Sequence, residues 1–179
     1  MPVAVSIRPR QTDFAEYYAK YINLVPAGDL VSILEKQAHE LNTLLRPLSH
    51  EEAAFTYAEG KWTIREVVGH LTDAERVFAY RATAFSRGDA NPLPSFDQDV
   101  WTPAGRYNDR PMDDVLEEWL TARRSTIALL RAMPEDGLNR RGTASGNPVS
   151  ALACVTTIAG HVAYHRAHLE EHYLAKLRA

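Results

Sequence analysis

The sequence predicts an all-α protein, a four-helix bundle with one long crossover loop. Three observations predict it. Four segments place apolar residues at steps of three and four, the period of a helix with one buried face. Capping residues, glycines and prolines fall at the ends of those segments. The connection between the second and third is much longer than a bundle turn, so it is either a functional segment or a crossover draped over the bundle.

The first long helix runs from Asp29 to about Leu45. Asp29 follows a glycine and is a natural N-cap. Leu30, Ile33, Leu34, Ala38, Leu41 and Leu44 or Leu45 form one apolar stripe, and Pro47 stops it. A shorter piece before it, DFAEYYAKYINLV, is also expected to be helical and to lie against the bundle. The second helix opens at Thr63, which forms a T-x-x-E capping box with Glu66. Ile64, Val67, Leu71, Ala74, Phe78 and Ala82 carry its stripe to about Phe85, and Gly88 ends it.

The long connection, residues 88–111, holds several prolines, two glycines and aromatic residues. The third helix covers roughly Met112 to Met133, with Val115, Trp119, Leu120, Ile127 and Leu130 facing inward. Asp113, Asp114 and Glu117 crowd its start and Arg131 its end, which suits the helix dipole. Residues 135–149 are rich in turn formers and can hold a small hairpin. Ser150 then caps a last helix from Ala151 to about Lys176, and Pro148 leaves an earlier start open.

Composition bounds the function. A chain of 179 residues suggests a single domain, 1–179, with a core that needs no disulfide or metal to fold. A net charge of −3 argues against a nucleic-acid protein, which usually shows a strongly basic face. The single cysteine excludes an intramolecular disulfide framework and fits a reducing, cytoplasmic compartment. No apolar run reaches the roughly 20 residues that span a bilayer. The start, MPVAVSIRPRQTD, lacks the apolar core of a signal peptide.

Histidine is the unusual entry in this composition. Four of the seven, His161, His165, His168 and His172, sit at i, i+4, i+7 and i+11 of the last helix. On a helix that is one stripe. An i, i+4 histidine pair can chelate one metal, and a catalytic zinc-type site needs a third protein ligand. His70 is the candidate, because Val67, Leu71 and Ala74 turn its face toward the bundle interior. Plainer readings exist: a solvated histidine pair and a hydrogen-bonded core histidine. His168 and His172 read as exposed or as complements to the helix C-terminus. His39 and His50 read as surface residues.

No glutamate follows His161 as in H-E-x-x-H, so this is not a zincin-type protease. Asp73, one turn after His70, is the weak candidate for an acid, a base or a partner to a ligand; it also reads as a surface carboxylate. Cys154 lies about 10 Å along the axis from the histidine pair and reads as a buried, inert thiol. Arg81 can reach the long loop and pair with Asp97 or Asp99, or snorkel at the surface.

These residues carry a family likeness. YAEGKWTIREVVGHLTDAERVFAYRATAFSRGD, NPLPSFDQD and RRGTASGNPVSALACVTTIAGHVAYH resemble, in order and spacing, the DinB-like superfamily of damage-inducible and YfiT-type metal-binding proteins. The resemblance implies an antiparallel-type four-helix bundle with a long crossover. It implies a divalent metal held by His70, His161 and His165; imidazole and water ligands suit zinc or nickel, and also iron or copper. Relatives often carry a second histidine just before the last ligand; this chain has Tyr164 there. The resemblance also implies a homodimer and a small-molecule substrate.

Family activities are diverse, and three functions follow. The first is a metal-dependent S-transferase using a bacillithiol-, mycothiol- or glutathione-like thiol. In it Trp101, Phe96 and Tyr107 form either an apolar wall for the electrophile or part of the core. The second is a metal-dependent hydrolase with a base such as Asp73. The third is a non-enzymatic, stress-related binding or dimerisation module.

Overall fold

A computed structural model describes residues 8–178 of the chain. Residues 1–7, which hold the apolar stretch read above for a leader, lie outside the described residues. The helices are α1 (Ala19–Ile22), α2 (Leu30–Leu45), α3 (His50–Ala53), α4 (Ile64–Ser86), α5 (Gln98–Ala104), α6 (Met112–Ala132) and α7 (Glu135–Asn139). A hairpin, β1 (Arg141–Ala144) and β2 (Asn147–Ser150), leads into α8 (Ala151–His168). The α8 axis continues through a π-helical turn, Leu169–Leu174, into α9 (Ala175–Leu177). No described helix is long and apolar enough to cross a membrane.

The caps form as the side chains dictate. Asp29 accepts from the Ser32 N–H, Thr63 from the Glu66 N–H and Ser150 from the Ala153 N–H. The Thr63–Glu66 capping box closes in both directions. Helix α4 ends in a Schellman pair: Gly88 N–H donates to Phe85 O and Asp89 N–H to Ala84 O, with Gly88 at φ +84°. The expected helix over 13–25 shrinks to α1, preceded by 3₁₀ turns at Gln11–Asp13 and Glu16–Tyr18. A segment this short gains little from its own hydrogen bonds, and it is held by packing Tyr21 and Ile22 inward while α1 lies on α8.

The bundle consists of α2, α4, α6 and α8. Helix α4 packs on α6 and α8, and so does α2, so α2 and α4 stand at opposite corners. Two apolar clusters divide the interior. One holds Leu34, Phe78, Phe85, Ile127, Leu130 and Leu152; the other holds Leu41, Val67, Leu71, Val115, Trp119 and Val162. Their order along each helix sets direction. Helices α4 and α8 run antiparallel, whereas the neighbours α4 and α6 run parallel. A parallel pair demands a return along the whole bundle, which is the work of residues 88–111 with α5 inside them. The bundle is therefore mixed rather than uniformly antiparallel.

A polar layer separates the two clusters. Arg123 makes a two-pronged salt bridge to Glu75, at 2.7 Å and 3.0 Å, with both side chains excluded from solvent. Arg123 also donates to the Gln37 side chain, and Gln37 donates to the Ala159 carbonyl at 2.8 Å. One network thus ties all four helices, two residues before His161.

The hairpin anchors the crossover. Ser145 and Gly146 both take positive φ, 52° and 76°, as a tight hairpin turn requires. Leu93 N–H donates to Thr143 O, and Ser145 N–H donates to Leu93 O. Pro148 lies in β2 opposite Thr143, so the helix begins at Ala151 and not earlier.

Candidate metal centre

The antiparallel α4–α8 contact brings His70 face to face with the last helix. Every residue from Ala151 to Val162 is buried, so this stretch of α8 is enclosed on all sides. His161 is therefore a core residue, and His165, one turn on, stands at the margin. The Nε2 atom of His161 lies 3.1 Å from Nε2 of His70 and 3.0 Å from Nε2 of His165. The three rings also meet edge to face, with centroids 4.5–5.1 Å apart. Trp62 packs on His70 and Tyr21 on His161. The trio that the spacing selects is brought together.

Neutral imidazoles alone account poorly for this arrangement. Each ring has one N–H, and one Nε2 on His161 faces two other ring nitrogens. The Nδ1 atoms of His70 and His165 are buried with no hydrogen-bond partner among the described residues. A cation receiving all three Nε2 lone pairs removes the conflict. Zinc–nitrogen bonds of about 2.0–2.1 Å make the edges of a tetrahedron about 3.3 Å long, close to the two spacings from His161, and all three donor atoms lie within 4.8 Å of one another. The donor set therefore fits one divalent ion, and no described carboxylate joins it.

The electrostatics keep the rings neutral. Burial pushes His70 down to about 4, partly opposed by the Asp99 carboxylate. Burial, with His70 and His168 nearby, pushes His165 down to about 3. Burial, His165 and His70 hold His161 well below its ordinary value. Neutral rings are what ligation needs.

A cleft of about 430 Å³ opens beside the cluster, lined by both His70 and His161. His70, Ala74, Phe78 and Arg81 form its floor along one face of α4. Tyr17, Tyr18 and Tyr21 close one side. Those tyrosines were legible only as a cluster in a short helical piece; nothing in the spacing aimed them at the histidines.

The remaining candidates fall elsewhere. Asp73 accepts a 2.8 Å hydrogen bond from the Tyr107 hydroxyl and does not join the histidine group or line the cleft. Burial raises its pKa, against the hydrogen bond from Tyr107. Tyr107 is a core residue under Gly69, while Phe96 lines the cleft with the half-exposed Trp101 against it. Cys154 is fully buried and its thiol is pushed up to about 12, an inert group as expected.

Arg81 is buried and bonds the Pro94 carbonyl and the Ser145 hydroxyl, not Asp97 or Asp99. The backbone reaches it first, because the hairpin and crossover pair directly above it. His168 and His172 are partly buried around Tyr57, with centroids 5.3 Å and 5.4 Å from it. His50 is exposed but not partnerless, since buried Arg65 bonds its Nδ1 and its carbonyl. His39 is exposed.

Comparison with known proteins agrees with this architecture. YfiT of Bacillus subtilis, described as a metal-dependent hydrolase candidate with an unusual four-helix bundle topology, superposes with a TM-score of 0.73 at 19% identity. The match covers 93% of this chain and 91% of that one. A mycothiol-dependent maleylpyruvate isomerase superposes with a TM-score of 0.65 at 14% identity, over 82% of this chain and 61% of that one. A protein of Oceanobacillus iheyensis, named as a candidate metal-dependent hydrolase, is 26% identical over 139 residues, 76% of this chain and 79% of its own. The DinB superfamily pattern matches residues 33–169, which take in most of α2, all of α4, α6 and α8 and all three clustered histidines, and the chain belongs to the DinB superfamily.

Proposed function

We propose that this chain is a metal-dependent enzyme in which His70, His161 and His165 hold one divalent ion beside the α4–α8 cleft, where an exogenous thiol reacts as its thiolate. The observation that carries this reading is the convergence of three neutral Nε2 atoms, two of whose rings line a cleft. The names of the relatives support a metal, and the mycothiol-dependent one supports a thiol. An all-imidazole set suits zinc or nickel, and also iron or copper.

When bound, such an ion stabilises a coordinated thiolate near neutral pH. The chain does the rest. Burial keeps the three imidazoles unprotonated and their lone pairs free. Tyr21 and Trp62 fix the ring planes of His161 and His70. The cleft holds the electrophile against Phe78 and Phe96 and stays open to solvent. On thiol binding its proton passes to water. The sulfur–carbon bond then forms as the bond to the leaving group breaks with its electron pair. No carboxylate is needed, and no described carboxylate joins the ligands.

A hydrolase is the second reading, favoured by one observation: Asp97 lines the cleft. Water needs a base, and Asp73, held by the Tyr107 hydroxyl, does not line the cleft. The test is conjugation of a model electrophile by candidate thiols, with ester cleavage run alongside. Metal-dependent conjugation lost in His165→Ala supports the transferase. Metal-dependent ester cleavage without thiol dependence replaces it with the hydrolase. Metal bound with no turnover of any kind leaves a binding module.

A further inference from the structure

Arg81 is a buried cation whose hydrogen bonds all go to neutral partners. Its side chain lines the same cleft as His70 and His161, yet the residue is only 2% exposed. Its two hydrogen bonds both leave one nitrogen, Nη2, toward the Pro94 carbonyl at 2.7 Å and the Ser145 hydroxyl at 2.9 Å. No described carboxylate forms an ion pair with it. Asp97, the acidic residue among the cleft's lining groups, turns a carboxylate oxygen to the Asp99 N–H instead. Ser145 sits at φ +52°, a conformation uncommon for a residue other than glycine, and there its hydroxyl meets the guanidinium. Taking a charge out of water without a counter-charge is costly, and the remaining Nη1 and Nε donors have no acceptor among the described residues.

The geometry points to an anionic ligand: we propose that Arg81 receives the carboxylate of a small acid whose apolar body lies along the cleft and whose reactive carbon lies at the histidines. This rests on the catalytic reading above for the reacting end only. His70, Ala74, Phe78 and Arg81 are spaced i, i+4, i+8 and i+11, one face of α4. The ends of that row are about 16 Å apart along the axis, and the arginine leans back toward His70, as long side chains on helices do. The guanidinium also stands 5.1 Å from the centre of the Phe78 ring, so the charged and apolar parts of the floor adjoin. A carboxylate matches the planar fork of an arginine. The substrate class is a monocarboxylate with several apolar carbons between its acid group and its electrophilic carbon.

Binding by the protein as purified tests this. The probes are 4-phenylbutanoate, its uncharged carboxamide and the corresponding phosphonate. The acid is expected to bind at least about tenfold more tightly than the amide, as a charge-assisted pair implies, and the gap should narrow with salt. Arg81→Gln should abolish the preference while leaving the metal content unchanged. Ser145→Ala, which keeps the charge but frees the guanidinium, should reduce it.

Equal binding of acid and amide by the unaltered protein overturns the proposal, whether or not Arg81→Gln folds. A preference that survives in folded Arg81→Gln also overturns it, since the acid would then be held elsewhere, at the metal for instance. A phosphonate that binds more tightly than the acid overturns the carboxylate assignment. An intact preference with no turnover defeats the catalytic reading alone, and turnover indifferent to the carboxylate defeats the anion site alone.

Discussion

The Nε2 atom of His161 lies 3.1 Å from that of His70 across the α4–α8 interface, although 91 positions separate the two residues. His165 completes the group from the next turn of α8, and its Nε2 also approaches His161 rather than an outside acceptor. His161 is thus the hinge of the cluster. Metal analysis of the purified protein should find about one divalent ion per chain. His161→Ala should lose it entirely and His70→Ala should lose it nearly so, because two ligands rarely retain an ion that three hold. Full metal retention in His70→Ala would sink the three-histidine centre.

Acid should weaken the metal-free protein in a defined window. His70 and His165 are depressed to about 4 and about 3 by burial, from an ordinary value near 6.5. Between those limits the unfolded chain binds more protons than the folded one, so stability rises with pH. The contribution is complete above about pH 6.5 and fades as pH falls toward the folded values. The urea midpoint of the metal-free protein should drop from pH 7 to pH 5, and less steeply in His165→Ala. Equal slopes for the two proteins would contradict the depressed values.

The polar layer across the bundle predicts a large single-site effect. Arg123 and Glu75 are both fully buried and meet through two hydrogen bonds. Removing one partner strands the other charge, at a cost of about 3–5 kcal/mol. Glu75→Gln and Arg123→Met should each lower the unfolding free energy by that order in denaturant titrations. The double variant should be less destabilised than the sum of the two. Additive losses would mean that the pair is not coupled.

Gly160 predicts a local clash. A Cβ at this position would overlap the backbone carbonyl of Tyr21, which cannot swing away like a side chain. Gly160→Ala should therefore push α1 off α8 and cost about 1–3 kcal/mol. Tyr21 stacks edge-on against His161, with centroids 5.1 Å apart, so metal affinity should fall as well. An alanine variant with unchanged melting temperature would refute the close approach.

Cys154 should be silent in any thiol assay. It is buried and its thiol is held at about 12, chiefly by burial. A thiol-reactive dye should label the native protein far more slowly than the unfolded protein. Cys154→Ala should leave thiol-dependent turnover intact; loss of turnover with native metal content would make it a participant.

The long helices were legible because each carries its own signal. Thr63 and Glu66 sit three residues apart, and the apolar row from Ile64 to Ala82 repeats at the helical period. Such features are local and survive in isolation. The π-helical turn at Leu169–Leu174 was not legible, because the histidine and apolar spacing of the last helix reads the same through it. The brief helix α1 was not delimited either, since its extent depends on docking against α8.

The sequence by itself determined the apolar stripes that face inward, that four helices form, and that His70 and the His161–His165 pair share a donor type on two inward faces. Helical periodicity is a property of each segment, so the sequence suffices for it. Only the tertiary structure decided that α4 is antiparallel to α8 yet parallel to α6, which sets His70 at the same height as His161. It also decided that Asp73 belongs to Tyr107 and that Arg81 belongs to the crossover and hairpin, rather than to Asp97 or Asp99. Those outcomes depend on which of several reachable partners arrives within about 3 Å, a competition in three dimensions that spacing along the chain does not encode.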